Sequence, residues 1–124
     1  MIELRIVLNK LLKTYHDRVY HQQAPTKRIY PYVVFNLPNS FDNENQEVFV
    51  LDVDVWDYTE DTTALETLSS TLWKALNRYR HLDEDIQFSI YRSTRLPPLD
   101  DDPMFKRRKL IFELRYLDRK QEVI

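Results

Sequence analysis

Not one of the 124 residues is glycine. At an average usage of about 7%, roughly nine would be expected. Chain reversals therefore fall to Asn, Asp, Pro and Ser, and the connections should run longer and less tight. The same absence removes the P-loop, the G-x-G-x-x-G dinucleotide turn and the G-x-S-x-G nucleophile elbow. Most nucleotide-binding and α/β-hydrolase classes go with them. Cysteine is absent as well, which excludes disulfides, thiol catalysis, thiolate zinc and iron–sulfur centres.

The length suits one domain over residues 1–124, with 118–124 expected to be a frayed tail. Hydrophobic residues at 43% and aromatics at 13% argue against disorder. The net charge of −2 gives no global electrostatic case for nucleic acid. No apolar run approaches the roughly 18 residues of a membrane-spanning helix, and no signal peptide is expected at the start.

Apolar spacing orders the chain. Ile2, Ile6, Val7, Leu8, Leu11, Leu12 and Tyr15 recur at three and four residues and predict a helix. Residues 16–29 read as a long ordered loop. Tyr30 to Leu37 reads as a strand with Pro31 near its start, followed by a turn-rich stretch from Pro38 to Asn45. Glu47 to Tyr58 alternates most cleanly, with Phe49, Leu51, Val53 and Val55 on one side and Val48, Val50, Asp52, Asp54 and Trp56 on the other. Thr59 is a candidate N-cap for a second helix. Its stripe runs through Leu65, Leu68, Leu72, Trp73, Leu76 and Tyr79, with an end expected near His81. Ile86 to Arg95 and Lys106 to Leu117 give two further strands. The order α-β-β-α-β-β predicts a two-layer α+β fold: a four-stranded, mainly antiparallel sheet with two helices on one face.

No catalytic, cofactor or metal signature stands out. Asp52 and Asp54 share a strand face and form a candidate carboxylate pair. The favoured reading pairs them across strands with Arg115 or Arg92. His16 and His21 are five apart, which misses helical metal-pair spacing. Asp100, Asp101 and Asp102 lack the spacing and glycine of an EF-hand loop. Lys106, Arg107, Arg108 and Lys109 form a short basic run whose members split between two strand faces. One economical arrangement sets the acidic loop of one subunit against the basic strand start of a neighbour. If the helices cover the Phe49 side, Val48, Val50 and Trp56 are left as an apolar patch suited to a protein interface. The candidate assembly interface is thus Val48, Val50, Asp52, Asp54, Trp56, Asp100, Asp101, Asp102, Lys106, Arg107 and Arg108.

The pieces Ala24-Pro25, Tyr30-Pro31-Tyr32, Val53-Asp54-Val55-Trp56 and the closing Phe112 to Leu117, spread over residues 2–117, resemble the phage tail-completion family. These are tail-to-head joining or tail-terminator proteins of long-tailed phages and prophages. The resemblance implies an α+β subunit of a hexameric ring in the virion neck, assembled in the host cytoplasm. Such a ring caps the tail tube and docks it to the head connector. DNA passes through without sequence recognition. The family is not enzymatic and needs no cofactor. Loops 38–46 and 96–105 are the candidate ring contacts. The alternative is a small nucleic-acid-binding or other interaction module using Lys106–Lys109.

Overall fold

The computed structural model describes residues 2–43 and 46–119. Its elements are α1 (Ile2–Lys13), β1 (Val19–His21), β2 (Tyr32–Asn43), β3 (Gln46–Tyr58), α2 (Thr63–Leu76), β4 (Arg80–Leu82), β5 (Ile86–Leu96) and β6 (Phe105–Asp118). The expected α+β class holds, but the sheet has six strands, not four, in the order β1-β2-β3-β6-β5-β4. The four expected strands form its antiparallel centre. The two additions are three-residue edges. β1 lies parallel to β2, with Val19 opposite Val33, and β4 pairs antiparallel with β5. Such short strands carry no periodicity, and their brevity blunts the sheet edges against further pairing.

One face of the sheet carries both helices. Leu4, Leu8 and Leu12 of α1 and Leu65, Leu72 and Leu76 of α2 are fully buried against it. The facing rows are Phe35/Val53/Leu110 and Leu51/Phe112, with Phe49/Leu114/Ile90 beyond them. Each fully buried Leu or Phe contributes about 1.5–3 kcal/mol in removal from water. The opposite face is open, and the register puts Trp56, Asp54, Asp52, Val50 and Val48 on it.

The turn-rich stretch after Leu37 is strand, not loop. Residues Asn39–Asn43 pair with Gln46–Val50, and a register shift between Asn36 and Asn39 accommodates Pro38. Proline lacks the ladder donor, so it sits where the ladder is interrupted. The turn itself, at residues 44 and 45, lies outside the described residues. At the other end of the chain, Asp118 still pairs with Ile86, and the Arg119 amide donates to the Asp85 carbonyl at 2.9 Å. The remainder of the expected tail, 120–124, lies outside the described residues.

Aspartates do the turning that glycine would otherwise do. Before α2, the Asp61 carboxylate accepts from the Thr63 amide at 2.9 Å and from its hydroxyl at 2.6 Å. The helix therefore starts at Thr63, with Thr59 held one turn earlier as an acceptor for the Asp61 amide. Between β4 and β5, Asp83 Oδ1 accepts from the amides of Asp85 and Ile86. The His81 ring lies 2.6 Å from its other oxygen. The His81 bond and then these amides hold the Asp83 carboxyl at about 2. In the 97–104 loop, Asp102 Oδ1 accepts from Met104 and Asp100 Oδ1 accepts from Asp102.

Two residues take left-handed backbone without being glycine: Gln22 at φ 69° and Arg78 at φ 64°. Arg78 ends α2, which stops at Leu76 and not near His81. There the chain turns into β4, the Arg78 amide donating to the Ile90 carbonyl at 2.7 Å. Left-handed backbone penalises a Cβ, most of all a branched one. We expect Arg78→Gly to leave stability unchanged or raise it by up to about 1 kcal/mol, and Arg78→Val to lower it by about 1–2 kcal/mol. Urea unfolding measures both, and the reverse order would show that the turn depends on the arginine side chain.

Candidate assembly interface

The open face carries an ionic lattice in the middle of the β3–β6 ladder. Lys109 stands opposite Asp54, and Arg107 stands opposite Trp56. The Lys109 ammonium reaches Asp52 at 3.1 Å and Asp54 at 3.5 Å, and Arg107 lies 3.7 Å from Asp54. The carboxylate pair is thus matched across strands, but by Lys109 and Arg107 and not by Arg115 or Arg92. Arg115 bonds Glu113 two residues away on its own strand. Arg92 lies on the helix face, with its guanidinium 5.6 Å from the Trp73 ring centre.

Burial pushes the Asp54 carboxyl up, against the opposing pull of Lys109 and Arg107. Asp54 Oδ1 and Arg107 Nε are buried without a hydrogen-bond partner. Such a half-dry carboxylate is an unfavourable charge tolerated for its neighbours. Among the described residues, no three His, Cys, Asp or Glu cluster as a metal site, and no helix is long and apolar enough to cross a membrane.

Beyond this lattice the open face becomes aromatic. Trp56 stacks on Tyr32 at 6.3 Å and 14°, meets Phe105 edge-on at 6.1 Å, and lies under Arg107 at 4.9 Å. Tyr30 and Tyr58 join through Phe105. The apolar patch read from the sequence is therefore largely covered within the chain. Val48 is 2% exposed between Phe41 and Arg115 in the register. Val50 and Trp56 are half-buried. Burial of Trp56 against the Tyr-Pro-Tyr segment required the β2–β3 register, which the sequence pattern alone does not state.

The basic run divides as its strand position requires. Arg107 and Lys109 serve the open face. Arg108 turns to the helix face and bonds Glu66 of α2, and Lys106 donates to the Pro103 carbonyl. Asp100 and Asp101 are exposed on the 97–104 loop, whereas Asp102 is drawn inward. One Asp102 oxygen accepts from Met104 and the other from the Tyr58 hydroxyl at 3.2 Å. Asp102 raises the Tyr58 phenol above its ordinary range.

A second feature, absent from the sequence reading, is a groove of about 410 Å³ at the far end of the open face. Arg80 of β4, Tyr91 of β5 and Arg115 of β6 line it. Arg115 lies 4.7 Å over the Tyr91 ring. A bond from Ser89, then the Arg115 and Arg80 charges, hold the Tyr91 phenol below its ordinary range. Only the strand pairing brings these residues together, so no local motif signals the groove.

No family model and no curated protein matches the sequence. The fold itself has a counterpart. A chain in the solved virion of a native gene transfer agent particle superimposes with a TM-score of 0.65. The match covers 93% of this chain and 90% of that one, at 12% identity. At that identity the likeness is one of fold.

The ionic lattice yields a paired expectation. Asp54→Asn should hold stability within about 1 kcal/mol at neutral pH, because the charge it removes is the disfavoured form. Any advantage of Asn should shrink as pH falls, since the folded chain protonates Asp54 above its ordinary value. Lys109→Met takes the ammonium from Asp52 and leaves Asp54 with Arg107 alone, and should lose about 1–3 kcal/mol at neutral pH. Urea unfolding at neutral and mildly acidic pH decides, and a larger loss for Asp54→Asn would reject this reading of the lattice.

Proposed function

We propose that this chain is a structural, non-enzymatic subunit of a phage-like virion. More finely, we propose that it stands at the head–tail junction as a tail-to-head joining or tail-terminator protein. Copies would assemble in the host cytoplasm into a hexameric ring that caps the tail tube, docks to the head connector and lets DNA pass through its centre. The observation that carries the reading is the fold shared over nine-tenths of both chains with a component of the gene transfer agent virion. The sequence resemblance to tail-completion proteins supports the finer placement independently. Asp52 and Asp54, the best candidates for acid–base work, are tied to Lys109 and suit a scaffold more than a reaction centre. The nucleic-acid alternative is less favoured, because every member of the 106–109 run has a partner within the chain.

Deletion of the gene from an inducible element tests this placement. Electron microscopy of lysates should show filled heads and finished tails that fail to join, with wild-type complementation restoring joined particles. Complementation with Trp56→Arg or Arg107→Glu should lower particle yield about thirtyfold, the effect of losing about 2 kcal/mol at an aromatic or arginine anchor. Asp52→Asn should complement normally. Joined particles at full yield without the gene would reject the proposal.

A further inference from the structure

Among its described lining residues, the groove at the far end of the open face holds bases and no acid. Arg80, His81 and Arg115 are those bases, with Asp83 paired to His81 and Glu113 paired to Arg115 just outside the lining. Its rim is partly apolar: Leu82, 65% exposed, and Leu117 border it. A ligand that fits would be an extended segment with an apolar side chain beside carboxylates.

This chain carries such a segment. The 97–104 loop presents Pro97, Pro98, Leu99, Asp100 and Asp101. Leu99 is 99% exposed. Its two prolines favour extended backbone in the segment before it. Asp102, Tyr58 and the Met104 carbonyl, which accepts from the Thr59 amide, anchor the base of the loop and leave its tip outward. A fully exposed leucine beside two exposed carboxylates complements a groove with two arginines and a leucine rim.

Loop and groove cannot meet within one molecule. The groove lies beside Gln87 and Ser89, at the start of β5, and the loop follows Leu96, at its end. The seven residues from Ser89 to Leu96 span about 23 Å of strand, at about 3.3 Å each. The loop is also tied at Leu96 and Phe105 by the β5 and β6 ladders.

We propose that a second copy of this chain seats its Leu99-Asp100-Asp101 tip in the groove between Arg80, Tyr91 and Arg115. Because donor and acceptor surfaces lie at opposite ends of the sheet, the contact is head-to-tail and repeats from copy to copy. Such contacts close into rings when the rotation permits. The inference deepens the ring reading and rests on it for closure, but the contact belongs to the purified chain and is tested there.

The absence of native cysteine makes the test clean. Leu99→Cys combined with Gln87→Cys, both exposed positions, should oxidise to a ladder of disulfide-linked multimers on non-reducing gels. The control pair Leu99→Cys with Lys13→Cys, on the exposed side of α1, should give roughly tenfold less. Adding Arg80→Glu should collapse the ladder, and adding Asp101→Arg to that variant should restore it. A ladder no stronger than the control, or one indifferent to both charge reversals, overturns the proposed contact. That result would leave the virion placement to the deletion experiment, which does not depend on which surface the copies share.

Discussion

The pairing of β3 with β6 is the interaction on which the rest of the molecule depends. It runs without a break from Glu47 opposite Tyr116 to Tyr58 opposite Phe105. A slip of one residue would turn Leu51, Val53, Leu110 and Phe112 out of the core and bring Asp52 and Lys109 in. The ladder also crosses the two partners of every feature on the open face: Asp54 with Lys109, and Trp56 with Arg107. Its neighbours, β2 on one side and β5 on the other, are placed by it. The ionic lattice follows from this register, and the aromatic end and the arginine-lined groove follow from the β2 and β5 pairings built on it.

The same dependence explains what could and could not be read from the sequence. β3 and α2 were legible because their apolar spacing is long and regular, and the buried faces fell where the pattern put them. β1 and β4 were not, because three residues carry no period and their pairing is decided by partners distant in the chain. The stretch after Leu37 misled for a different reason. Pro, Asn, Ser and Asp signal a turn locally, yet a register shift lets the strand continue past Pro38. At the site, the split of the 106–109 run between faces was legible from strand parity. The partners of Asp52 and Asp54 were not, since strand order decides which basic residue stands opposite.

The lack of glycine shapes the connections more than the core. Asp61, Asp83, Asp100 and Asp102 each turn the chain by accepting backbone amides, and Arg78 takes a left-handed conformation at the end of α2. Aspartate turns of this kind leave carboxylates at the ends of the sheet. Asp100 stands in this way, with Asp101 beside it, at one end, and a groove lined by two arginines lies at the other. Asp83 turns the chain at the groove end in the same way, its carboxylate engaged by His81 and two backbone amides.

The central claim is that this chain is a fixed part of a particle, and the composition of purified particles tests it most directly. Particles induced from cells carrying the gene, separated on a density gradient and quantified by mass spectrometry, should contain the chain at a constant ratio to the tail proteins across the particle peak. Joined, intact particles without the chain, while it accumulates free in the lysate, would contradict the claim.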